Sequence, residues 1–210
     1  MADKKKPISK LNPEDYIVAD DNPAWLNTPS PFNELDDDWI SIIVFFVFHV
    51  PAIGVSARSK KMEYYGWSNR KDSQDYKNLI EKLIKYSKME RKSFCYKDKN
   101  KDFKREIIKN NFYGNFPPDL IEEKVIFKKQ KYGQVDSLLH HIRNSFAHGR
   151  IAFCKNNNIT YIIMEDINKN NNVSARMILS KTTLLRWKTI ILSGPNKSNE
   201  DLDNEFGETK

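Results

Sequence analysis

Three of the four histidines of this chain, together with an asparagine and two arginines, fall in one stretch, Val135 to Arg150, which reads V-D-S-L-L-H-H-I-R-N-S-F-A-H-G-R. Imidazole takes up and releases protons near neutral pH. Guanidinium is a planar, permanently charged fork suited to phosphate. Such a set matches what cleavage of an RNA phosphodiester needs, because RNA carries its own nucleophile in the 2′-hydroxyl. The remaining requirements are a proton acceptor, a proton donor and a charge to stabilise the phosphorane.

The element that must position these groups is a helix. Val135, Leu139, Ile142 and Phe146 recur at i, i+4, i+7 and i+11, and at about 100° per residue they share a stripe roughly 60° wide. His140, Asn144, His148 and His141 fall at about 140°, 180°, 220° and 240° on the same wheel, with Arg143 on the flank. The expectation is one helix, 135–149, presenting these groups away from its core stripe. Gly149 stops it, since glycine takes the left-handed conformation that follows a last turn. The plain alternative is an ordinary surface or interface helix. A solvated face usually carries Lys and Glu, and the clustering of imidazoles weighs against that alternative.

Residues Arg143-Asn144-Ser145-Phe146-Ala147-His148 resemble the Arg-polar-…-His signature of the HEPN superfamily, small helical domains of which many are ribonucleases. The setting adds to the resemblance: two leucines before the signature, Gly149 after it, then a strand-like meander and a short closing helix. The arrangement over roughly Gly133 to Leu192 is similar to a plasmid- and phage-defence-associated HEPN family. The resemblance implies a mainly α fold, a HEPN-like helical bundle with a small C-terminal antiparallel β meander and a closing helix. It also implies a metal-independent endoribonuclease acting on single-stranded RNA, without cofactor, in antiviral defence or as a toxin.

In that reading His148 is the acid–base residue, Arg143 holds the scissile phosphate and stabilises the phosphorane, and Asn144 orients the imidazole or the phosphate. His141 and Arg150 are further candidates for substrate contact. One helix carries one histidine of the motif, and HEPN ribonucleases pair two domains, so a homodimer with a composite site is expected. There is one departure. In toxin–antitoxin members a tyrosine two residues after the histidine can be modified by the antitoxin; here that position is Arg150. Control by a separate inhibitor or trigger protein must then take another form.

The rest of the chain reads as scaffold. Lys+Arg of 35 against Asp+Glu of 28, a net charge of +7, is compatible with a polyanionic partner. Cys95 and Cys154 form no CxxC or zinc-spaced set, which fits free thiols in a reducing cytoplasm. Adjacent His140 and His141 diverge by about 100° on a helix, which argues against a shared metal. Residues 1–31 read as an arm held where Tyr16, Ile17, Val18, Trp25 and Leu26 find a groove, and 32–192 as a single domain. The apolar run Trp39 to Val50 is twelve residues long and is followed by Pro51. A bilayer needs about 20 apolar residues, so the run is predicted to be a core helix and no membrane partner is expected.

Basic and aromatic residues alternate from Arg58 to Trp67, more in the manner of a helix with its rings inward than of a nucleic-acid track. Ser73 to Lys92 is an amphipathic helix. The run 97–104 reads as a charged loop, and Asp119 to Lys131 as a short helix. A β meander is expected over 150–179, a closing helix over 181–192 capped by Ser180, and a disordered polar tail over 193–210. Two further classes compete with the enzyme. One is a non-catalytic HEPN module that binds RNA or nucleotide and dimerises. The other is a structural helical protein in which the motif is accidental.

Overall fold

A computed structural model describes residues 13–27, 35–50, 60–68, 73–87, 89–114, 116–131 and 133–207. Arg58 and parts of the expected arm and tail lie outside them. The chain folds around a five-stranded mixed sheet, with strand order β1-β2-β5-β4-β3. The strands are β1 (Phe94–Lys97), β2 (Lys124–Lys128), β3 (Ile151–Asn156), β4 (Ile159–Ile167) and β5 (Val173–Ser180). The helices are α1 (Asp37–Val44), α2 (Gln74–Lys85), α3 (Asn100–Lys109), α4 (Gln134–Ala147), α5 (Lys181–Ser193) and α6 (Asn199–Phe206).

This architecture corrects the expectation of a mainly α bundle with a small meander: the fold is an α/β mix. The meander β3-β4-β5 does form, but its inner strand β5 pairs antiparallel with β2, and β2 pairs parallel with β1. Parallel strands need a crossover, and α3 supplies it in the stretch read as a charged loop. Part of the segment read as a short helix, 119–131, is strand β2. The reason is burial on both faces. Val125 and Phe127 join one core and Ile126 the other, so K-V-I-F-K shows no alternation, and neither local period marks it as a strand.

The larger core lies between the sheet and α1, α2, α4 and α5. The apolar run 39–50 belongs to it, as α1 continued by a π-helical turn Phe45–His49, with Asp36 accepting from Trp39 N at 3.0 Å at the start. Trp187 Nε1 donates to Leu83 O at 2.8 Å and Trp67 Nε1 to Ile191 O at 2.9 Å, fastening α5 to α2 and to the turn after residue 65. The smaller core sits on the opposite face, under α3 and residues 17–19 of the N-terminal segment. The polar segment expected as a disordered tail contains α6, which carries a capping box at Ser198 and buries Leu202. Among the described residues no helix is long and apolar enough to cross a membrane.

Candidate functional site

Helix α4 is shaped at both ends by small residues. At its start Ser137 Oγ accepts from Gln130 N at 2.8 Å and donates to Gly133 O. At its end Gly149 has φ 66°. There Gly149 N donates to Phe146 O at 3.1 Å and Arg150 N to Ser145 O at 3.0 Å, the paired bonds of a Schellman turn. This turn leaves His148 exposed as the C-cap of the helix and sends Arg150 inward just before β3.

The helix packs in two directions. Val135, Leu139 and Ile142 join the helical core, as the apolar stripe predicts. A second side, with Ser137, Leu138, His141 and Ser145, is also buried, against β2 and β4. The two serines there bring helix and sheet close, and Ser145 Oγ folds back onto His141 O at 2.9 Å. The buried arc is therefore near 200° wide; the remaining arc holds the half-buried Asp136, His140, Arg143 and Asn144 with exposed Ala147, and His148 is exposed because it lies at the helix end.

His141 accordingly does not belong to the exposed set. It is 0% exposed, with Nδ1 2.6 Å from Asp166 Oδ2 and Nε2 2.8 Å from Lys128 O. It braces α4 against two strands, and its expected role in substrate contact is corrected for that reason. Arg150, 7% exposed, is likewise engaged. Its Nε donates to Glu165 Oε1 at 3.0 Å, its Nη2 to the same carboxylate, and Nη2 also to Asp20 O at 2.9 Å. Arg176 Nε binds the other oxygen, Glu165 Oε2, at 2.7 Å. Both nitrogens of His141, and Nε and Nη2 of Arg150, are thus engaged within the protein.

A cleft of about 840 Å³ is lined by His140, His141, Asn144 and His148 of the α4 region together with Lys128, Lys129, Arg150, Asp166, Lys169 and Ser174. Arg143 is not part of the cleft wall. It reaches the set through Asn144, with Nη1 donating to Asn144 Oδ1 at 3.2 Å, and Asn144 Nδ2 stands 3.0 Å from His140 Nε2. The structure thus links Arg143, Asn144 and His140 in a row and sets His148 one turn further on. Among the described residues the buried Arg143 Nε and Asp166 Oδ1 lack a hydrogen-bond partner.

Burial holds the pKa of His140 below the ordinary histidine range; His141 and Arg143 push the same way, and Asp166 opposes them. Burial also lowers the Lys128 ammonium, whose Nζ donates to Asn100 Oδ1. Among the described residues no group of three or more His, Cys, Asp or Glu side chains is placed to hold a metal ion. Sequence reasoning missed Asp166, Ser174 and the cleft lysines. One signal was present: Glu165-Asp166 is a pair of carboxylates at the end of a strand-like apolar run. Successive strand residues face opposite sides, so Asp166 meets α4 and Glu165 meets the arginines of the other face.

The chain matches the family HEPN pEK499 p136 over residues 58–191, a span that contains the sheet, α4 and the cleft. No curated protein and no solved structure matches it significantly. With more than half of its length in that match, the chain belongs to the HEPN pEK499 p136 family and so to the HEPN superfamily.

Proposed function

We propose that the protein is a metal-independent endoribonuclease that cleaves single-stranded RNA, in antiviral defence or as a toxin, at a site completed by a second copy of the chain. The supporting observation is the end of α4: an exposed His148 one turn beyond Asn144, whose amide carries the Arg143 guanidinium. In the reaction the 2′-hydroxyl loses its proton to a base and its oxygen attacks phosphorus. The bond from phosphorus to the 5′-oxygen breaks, and that oxygen takes a proton from an acid. The products end in a 2′,3′-cyclic phosphate and a 5′-hydroxyl.

His148 is the acid–base residue, Arg143 bears the added charge on phosphorus, and Asn144 orients the guanidinium. Two proton transfers call for two groups, and each chain contributes one histidine of the motif. Arg143 and His148 also leave α4 about 140° apart, so one protomer does not aim both at one phosphate. A homodimer with two α4 helices facing across its axis supplies the second set. The cytoplasm and control by a separate inhibitor or trigger protein belong to the same proposal.

The divergence of Arg143 and His148 equally favours one other reading, a HEPN module that binds RNA or nucleotide and dimerises without cleaving. End-labelled single-stranded RNA incubated in EDTA with wild type and His148→Ala separates the two. Cleavage by wild type alone, leaving cyclic phosphate ends, is the expected result. Binding without cleavage by a confirmed dimer, across several RNAs, would overturn the enzyme in favour of the module.

A further inference from the structure

The row His140–Asn144–Arg143 has a defined polarity. Arg143 Nη1 can only donate, so the Asn144 oxygen it meets at 3.2 Å is fixed as Oδ1, and the amide NH2 must face the other way. There it stands 3.0 Å from His140 Nε2. An amide NH2 also only donates, so Nε2 has to be the bare, accepting nitrogen, with the ring proton on Nδ1. A proton on Nε2 would set donor against donor. Relief would then come from turning the amide over, which presents its NH2 to Arg143 and releases the guanidinium.

We propose that His140 is a positioning residue. Through the Asn144 amide its neutral ring holds the Arg143 guanidinium in place, and protonation of that ring lets Arg143 go. The inference rests on the ribonuclease reading only for its consequence in activity. It makes acidification a means of disabling the site through a histidine outside the Arg–His signature. The surroundings agree. His141 lies beside His140 with ring centroids 6.2 Å apart, Arg143 and His148 follow on the same helix, and Lys128, Lys129 and Lys169 border the cleft. The carboxylates near these groups are Asp166 of β4 and Asp136, one turn before His140 on α4. A further positive charge on His140 is therefore opposed by burial, His141 and Arg143, which together hold its pKa below the ordinary histidine value against the pull of Asp166.

Two measurements on the full chain test this. In nitrogen-resolved NMR at neutral pH, His140 should show a bare Nε2 and a protonated Nδ1. On acidification the Arg143 guanidinium signals should move in step with His140, and in Asn144→Ala they should not. A His140 ring protonated at Nε2 at neutral pH, or Arg143 signals indifferent to its titration, overturns the proposal whether or not the protein cleaves RNA.

The second measurement is the pH profile of cleavage. Wild type should lose activity as His140 protonates. His140→Gln places a non-titrating acceptor at the reach of Nε2 and should keep most of the activity, with the acid limb reduced to the shallower one that protonation of the His148 base gives by itself. His140→Leu, which removes the acceptor, should fall roughly tenfold or more at neutral pH with its thermal unfolding little changed. A glutamine variant no better than leucine, or one whose acid limb is as steep as that of wild type, overturns the assignment. Should wild type cleave no RNA, the ribonuclease reading fails and the NMR result alone decides on His140.

Discussion

His140 and His141 are neighbours in the chain and opposites in the fold. His141 is sealed between α4 and the sheet, with both nitrogens against acceptors. His140 sits at the cleft, with Nε2 on an amide that is itself tied to a half-buried arginine. The same contrast separates Glu165 from Asp166 on β4, since Glu165 is gripped by two arginines and Asp166 keeps one oxygen without a partner among the described residues. Residue type thus says little about role here. A polar group whose bonding capacity is filled inside the protein holds the fold together, and one that retains capacity at the cleft is available to a ligand.

Substitutions should reproduce this division. The largest loss of stability is expected from Glu165→Ala, which strands the buried Arg150 and Arg176 guanidiniums. Removing one partner of a buried ionic cluster typically costs about 3–5 kcal/mol, readable as a lower denaturant midpoint. An undisturbed midpoint would break the claim that this triad is structural. Asp166→Ala should come next, at about 2–3 kcal/mol, because it removes the partner of the fully buried His141 Nδ1, while Ser174 Oγ keeps the residue's backbone carbonyl at 3.1 Å. Gly149→Ala should cost about 1 kcal/mol, because φ 66° disfavours any side chain although nothing lies within 4 Å of the added carbon.

The effect of pH is expected to be smaller still. The folded state disfavours protonated His140, so the unfolded chain binds that proton more readily, and this contribution is present above the ordinary histidine value of 6.5 and lost as pH falls below it. His140→Gln should flatten that part of the stability profile, and an unchanged slope would assign it to another group. His148→Ala should change stability least, within about 0.5 kcal/mol, while cleavage falls by roughly 10² to 10⁴. Equal loss in stability and activity would return His148 to the structural side.

Much of this site was legible in the linear pattern of residues 135–150. The apolar stripe, the polar arc with Arg143, Asn144 and His148, and the stop at Gly149 all follow from helical periodicity and from the conformational freedom of glycine, which are local properties. So do the core helix from Trp39, the hairpin turn where Asn157 and Asn158 adopt φ 48° and 62°, and the Ser180 cap that accepts from Thr183 N at 3.1 Å. Tertiary structure decided the rest. Strands β1 and β2 are strands because β5 and α3 hold them there, a pairing of residues 31 to 54 positions apart that no local period records. The division of His140 from His141 was decided in the same way. A helical wheel assigns one buried face, whereas α4 buries two, and only the approach of β2 and β4 encloses one histidine and leaves its neighbour at the cleft.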